Sequence, residues 1–177
     1  KMPVEIEKIQ KKTLPVVILR GQVAFPGLPL TLELSSAGTI ESCLFADEHD
    51  SEIFIVGHDE PIHDLDIGTL YKTGTVAVIN QLIKLPDGNL RVVIEGISRG
   101  RAADYVKNGE KLFAEVMVKS VYAEVGVLAS DARLHVLSLF EELCRFIPRV
   151  SREMIEDMKN IDDVLVLIDG VASNALF

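Results

Sequence analysis

The chain has 177 residues, 48% hydrophobic and 25% charged, with a net charge of −9. This is enough apolar material for one good-sized domain, or one with a smaller satellite, and too much for a disordered chain. The apolar runs are too short for a membrane span, and the basic residues form only two short clusters, at 8–12 and 99–101, so neither a membrane nor nucleic acid is an expected partner.

The N-terminus, KMPVEIEKIQKK, is charged and lacks a secretory apolar region, which points to a cytoplasmic protein. Lys1 ahead of Met2 reads as a remnant of cloning. Residues 13–19 are a short apolar run and read as a first strand. Pro26-Gly27 favours a type II turn, and the alternation over 30–34 predicts a half-buried second strand. Ser36 is placed to cap a helix on which Ile40, Cys43 and Leu44 share one face and which ends near 47–50. Residues 53–56 read as a buried strand, and the polar 57–66 stretch as a loop.

The 74–96 stretch is the centre of the pattern. Residues 75–85 and 90–94 are rich in β-branched and aliphatic side chains, and Pro86-Asp87-Gly88-Asn89 between them is turn chemistry, so the pair predicts a β-hairpin. Residues 98–101 continue its second strand or bend it, and 113–121 alternate as a last strand. After Tyr122 the period changes. Leu134, Leu137, Phe140, Cys144 and Ile147 recur at helical spacing up to Pro148. Ser151 can cap a second helix carrying Met154, Ile155 and Met158, and Asp162 or Asp163 a third through Ala175. The fold class is α+β: a β-rich module of about six strands with one inserted helix, then a small helical subdomain.

Candidate chemistry is sparse. His49, His58 and His63 lie among carboxylates, but the spacing fits no zinc pattern, and a solvated acidic loop is the simpler reading. No Walker loop and no Gly-x-Ser-x-Gly occurs. Cys43 and Cys144 sit in differently patterned segments and read as free, buried thiols. No catalytic, cofactor-binding or metal-ligating residue is therefore expected. The apolar loop Phe25-Pro26-Gly27-Leu28-Pro29 stands out because loops normally face water. Either Phe25 and Leu28 fold back under the helix at 40–44, or they form an exposed patch that contacts another polypeptide. Leu82, Ile83 and Leu85 near the hairpin turn could supply a second patch.

Four segments together resemble the N-terminal domain of ATP-dependent Lon proteases. They are LPVVILR at 14–20, VAFPG at 23–27, GTVAVINQLIKLPDG at 74–88 and VVIEGISRGR at 92–101, with KNID at 159–162 similar to the family's helical extension. The resemblance implies a PUA-like β-rich module over 12–121 and a helical subdomain over 122–177, truncated before an ATPase module. It implies a non-catalytic role in capturing unfolded, damaged or degron-bearing proteins. ATP and Mg, a Ser-Lys peptidase and a hexameric assembly belong, on this resemblance, to the full-length protease. Ser35-Ser36-Ala37-Gly38 departs from the basic stretch usual before the family's helix, so no charge-based contact is carried over there. Phe25, Pro26, Leu28, Leu82 and Leu85 are the expected substrate-binding residues. From another class, the PUA-like architecture alone suggests a standalone small-molecule or RNA-binding module, against which the acidic balance stands.

Overall fold

The computed structural model describes residues 8–58, 66–120, 127–146 and 152–175. The chain divides into two compact units, residues 1–121 and 122–177. In the first, the order is β1 (Lys8–Leu19), β2 (Pro29–Leu34), α1 (Ala37–Glu48), β3 (Ile53–Gly57), a 3-10 turn (Ile67–Thr69), β4 (Thr73–Lys84), β5 (Leu90–Asn108) and β6 (Lys111–Ser120).

The strands lie in the order β2-β5-β4-β3-β1-β6, and β5 also pairs with β6. That extra pairing closes β5, β4, β3, β1 and β6 into a barrel and leaves β2 attached outside the ring. All pairs are antiparallel except β1–β3, whose parallel register runs from Val16↔Phe54 to Leu19↔Gly57. A parallel pair needs a crossover, and β2 with α1 provides it.

Period-two alternation sorts the core into two layers. Val16, Ile18, Phe54, Val56, Val76, Tyr105, Ala114 and Val116 fill the barrel. Their neighbours Val17, Leu19, Ile53, Ile55 and Ala77 point the other way and pack with Leu32, Val92 and Ile94 against Cys43 and Ala46 of α1. β1 and β3 are thus covered on both faces, which is why 13–19 and 53–56 read as continuous apolar runs rather than as alternations. The α1 face that is buried holds Thr39, Ser42, Cys43 and Ala46, with Ile40 and Leu44 only partly covered at its margin. Ser36 occupies the N-cap position, but its side chain makes no cap bond; its carbonyl accepts from the Ile40 amide at 2.9 Å.

Of the two readings open for 98–101, continuation of the second hairpin strand is the one found. β5 continues to Asn108 and forms a second hairpin with β6. Gly109 opens the two-residue loop at φ +62°, the glycine-first pattern of a type II′ turn. The first hairpin turns as expected. The Gly88 amide donates to the Leu85 carbonyl at 3.1 Å, Gly88 sits at φ +88°, and Asp87 accepts from the Asn89 amide at 3.0 Å.

The second unit holds α2 (Val127–Cys144), α3 (Arg152–Lys159) and α4 (Val164–Ala175). Leu137, Phe140 and Leu167 are buried, whereas Leu134, on the expected stripe, is exposed. Of the two candidate caps for α4, Asp163 does the capping: its Oδ1 accepts from the Leu165 and Val166 amides at 2.8 and 3.3 Å. Arg133 fastens α2 to the α3–α4 connection by donating from Nε to the Ile161 carbonyl at 2.7 Å and from its terminal nitrogen to the Lys159 carbonyl. Ile147, Pro148 and Ser151 lie outside the described residues.

Candidate functional site

The Phe25–Leu28 loop is built on a glycine of β5. The Leu28 amide donates to the Phe25 carbonyl at 3.4 Å and Gly27 sits at φ +76°, as a Pro-Gly type II turn requires. The turn is then bonded to β5 on both sides of one residue. The Gly27 amide donates to the Gly96 carbonyl at 2.8 Å, and the Gly96 amide donates to the Leu28 carbonyl at 3.2 Å. A Cβ on Gly96 would sit 2.2 Å from the Phe25 carbonyl oxygen. Phe25, Pro26 and Leu28 are half-buried. Beside them Val23 and Ile97 are 56% and 49% exposed. The loop is therefore a fixed apolar ledge rather than a free flap.

Leu82 and Leu85 lie elsewhere. Leu82 is opposite Val92 and packs at the margin of the core beneath α1. Leu85 begins the hairpin turn, half-buried. Measured along β5, Val92 is about 13 Å and Leu90 about 20 Å from Gly96. The five expected contact residues thus form two groups, not one surface. Ile83, on the opposite side of β4 from Leu82, is the exposed apolar residue of the hairpin at 42%. Ile83 belongs to the second patch read from the sequence, whereas Val23 and Ile97 are signalled there only by their apolar character.

A cleft of about 210 Å³ opens among Gln22, Val23, Ile55, His58, Tyr71 and Thr75. Two of its polar side chains already have protein partners. His58 Nε2 lies 2.8 Å from Thr69 Oγ1, and Thr75 Oγ1 donates to the Ala24 carbonyl at 2.7 Å. The Tyr105 hydroxyl donates to the Tyr71 carbonyl at 2.5 Å, and burial pushes that phenol up to about 12. His58 departs from the solvated-loop reading: it is 5% exposed, and its amide donates to the Leu19 carbonyl at the end of β1. The end of the barrel, not the acidic sequence around it, sets its environment. His49 stacks on Phe45 at the end of α1, and His63 lies outside the described residues. Among the described residues no group of three His, Cys, Asp or Glu side chains could hold a metal. Both cysteines are free thiols. Cys43 is fully buried, and burial, with Asp47 nearby, raises it to about 12; Cys144 is partly exposed and raised mainly by burial. A thiol held neutral is a poor nucleophile. No helix among the described residues is long and apolar enough to cross a membrane.

Comparison with known proteins bears on what the ledge serves. The family model for the "ATP-dependent protease La (LON) substrate-binding domain" matches residues 13–177. The chain is 34% identical over 176 residues to a Lon protease of Halothermothrix orenii, covering 95% of this chain and 22% of that protein. It is 30% identical over 174 residues to the Lon protease of Escherichia coli K12, again covering 95% of this chain and 22% of the relative. The N-terminal domain of a Mycobacterium avium complex Lon protease has the same fold, with a TM-score of 0.59 at 18% identity over 91% of this chain and 98% of that one. The Lon N-terminal domain protein from Xanthomonas campestris aligns with a TM-score of 0.55 at 16% identity, covering 92% and 98%. The chain thus spans about a fifth of the length of these full-length relatives.

Proposed function

The chain belongs to the family of LON substrate-binding domains, and from that premise we propose that it captures non-native polypeptide segments through apolar side chains and performs no catalysis itself. In a full-length Lon-type protein, nucleotide hydrolysis and peptide cleavage would reside in the remaining four-fifths of the chain, and a hexamer would present six copies of this unit.

The observation that carries the reading is the ledge: an apolar turn that is bonded rigidly to β5 yet leaves Val23 and Ile97 exposed and Phe25 and Leu28 only half-covered. A folded client has already buried the side chains that would dock there; an unfolded one has not. Covering the remaining exposed parts of four such side chains gives on the order of 4 kcal/mol before ordering costs. A single copy should therefore bind no more tightly than about millimolar, which is where 4 kcal/mol falls. Six tethered copies would raise the effective affinity without any new contact.

The test is fluorescence anisotropy of a labelled, reduced and carboxymethylated polypeptide titrated with the 177-residue chain. Leu28→Asp is expected to weaken binding at least severalfold while the melting temperature moves by no more than about 2 °C, the behaviour of a surface substitution. A collapse of the melting temperature would place Leu28 in the core and overturn the ledge as the contact surface. Absence of binding by the parent chain at millimolar concentration would overturn capture itself.

A further inference from the structure

We infer that residues 78–84 of β4 receive an extended polypeptide segment as an added antiparallel strand; this rests on the capture reading and gives it a mode. The ladder between β3 and β4 has only three rungs, Ile53↔Ala77, Phe54↔Val76 and Ile55↔Thr75. β4 then runs on past the start of β3, paired with β5 alone. Among the described residues, no backbone group pairs with the other side of that stretch. In an antiparallel pair every second residue turns its amide and carbonyl away from the partner, so the edge presents a row of unmet donors and acceptors. Asn80, Gln81, Ile83 and Lys84 are exposed along it.

The edge also has a chemical polarity. Where it meets β3 there is a notch of about 90 Å³, walled by Asp47, Asp50, Ser51, Glu52, Val78 and Ile79. Lys12 neutralises Glu52 at 2.7 Å. Asp47 and Asp50 are exposed, and among the described residues neither has a cationic partner. A strand antiparallel to β4 runs in the direction of β3 and brings its C-terminal end into this notch. The occupant is thus an extended segment of alternating apolar character with Lys or Arg towards that end.

A second copy of the chain fits less well. An edge of seven residues is about 23 Å long, and a strand laid on it covers about 250 Å² per partner, against about 800 Å² in a stable dimer. The β-bulge between Ile79 and Gln81, and Lys84 at the far end, are features that discourage permanent edge-to-edge pairing. They leave room for short, reversible additions, which is what capture requires.

The experiment titrates the ¹⁵N-labelled 177-residue chain to millimolar with an amidated heptapeptide alternating Val and Thr and ending in Arg. Amide shifts are expected at 78–84 and 50–52. Methylating alternate peptide nitrogens in one phase should weaken binding about tenfold or more, and in the other phase by less than about twofold, since only one set faces the edge. The double variant Asp47→Asn/Asp50→Asn should weaken the Arg peptide about threefold and leave a Gln-ended peptide unchanged. Equal sensitivity to both methylation phases, shifts confined to other strands, or dimerisation through this edge would overturn strand addition. If the peptides fail here while the unfolded polypeptide still binds, the mode is wrong and capture stands; if neither binds, both fall.

Discussion

Gly96→Ala is the sharpest probe of the ledge, because one methyl group acts on a single joint. An ideal Cβ at that position lies 2.2 Å from the Phe25 carbonyl oxygen, 2.8 Å from its carbon and 3.1 Å from the Pro26 Cα. These are backbone atoms, so no rotamer change can relieve the clash. The turn has to lift off β5. Lifting it removes the Gly27-to-Gly96 and Gly96-to-Leu28 hydrogen bonds, at 2.8 and 3.2 Å. Each is worth about 1 kcal/mol, and the residual overpacking adds about 1–3 kcal/mol, giving a total of about 3–5 kcal/mol. For a β-rich unit of this size that lowers the melting temperature by roughly 10–20 °C. Scanning calorimetry reads the shift, with Ile97→Ala, an exposed neighbour, as the control expected to move it by less than about 2 °C. Client binding should fall in Gly96→Ala even at a temperature where the barrel remains folded, because the ledge is displaced. A melting temperature within 2 °C of the parent would refute the reasoning, since the loop would then be free to move without loss.

The Cys43 thiol titrates at about 12 in the folded chain against an ordinary 9.0, chiefly because it is buried. The unfolded chain therefore releases this proton first, and the corresponding stability is fully present below pH 9 and is lost as pH rises towards 12. Urea melts of Cys43→Ala should be flatter than the parent's from pH 9 upward, with a residual slope from about pH 10 because Tyr105 is raised from 10.0 to about 12 by burial; identical slopes would show that the thiol is not the group responsible. Asp163→Ala removes the acceptor for two amides of α4 and should cost about 1 kcal/mol, seen as an earlier loss of helical circular dichroism on heating. Asp50 closes α1 at φ +49°, with the Ser51 amide donating to the Ala46 carbonyl at 2.9 Å and its own amide to Asp47 at 3.4 Å. That is a Schellman arrangement with a non-glycine residue in the left-handed position, so Asp50→Gly should stabilise by up to about 1 kcal/mol, and a lower melting temperature would contradict it.

What was legible in the chain was whatever local chemistry controls. The hairpin at Pro86-Asp87-Gly88, the turn at Pro26-Gly27 and the buried strand at 53–56 all appear where their residues place them. The second hairpin was equally available, since Asn108-Gly109 is strong turn chemistry, but the polar Arg99–Lys107 surroundings hide it. In a barrel wall, one face of such a strand is solvated, and only Gly100, Ala102 and Tyr105 of that half are buried. His58 illustrates the opposite limit. Its neighbours in sequence are acidic and polar, but its neighbours in space are Thr69 and the end of β1. Leu134 was misplaced because the α2 pattern is apolar at more positions than one face can bury, so spacing alone does not identify the inner stripe. The separation of Phe25 from Leu82 is likewise a property of register, which sequence patterning does not specify.

The two-layer core limits where the proposed contact surfaces can lie. β1 and β3 bury both faces, one in the barrel and one under α1, so neither has a face to offer a partner. Phe54 shows how full the interior is: a Cβ on Gly74 would lie 2.7 Å from its ring and one on Gly100 3.2 Å. A polypeptide cannot enter such a barrel without unfolding it. What remains available is backbone at the end of the shortened β3 ladder and apolar side chains held outward on the β5 joint. Both can take an extended segment without disturbing the core, and both disfavour a folded client, whose own backbone bonds and apolar side chains are already satisfied. Under the capture proposed above, selection for the unfolded state would follow from which groups the barrel leaves uncovered.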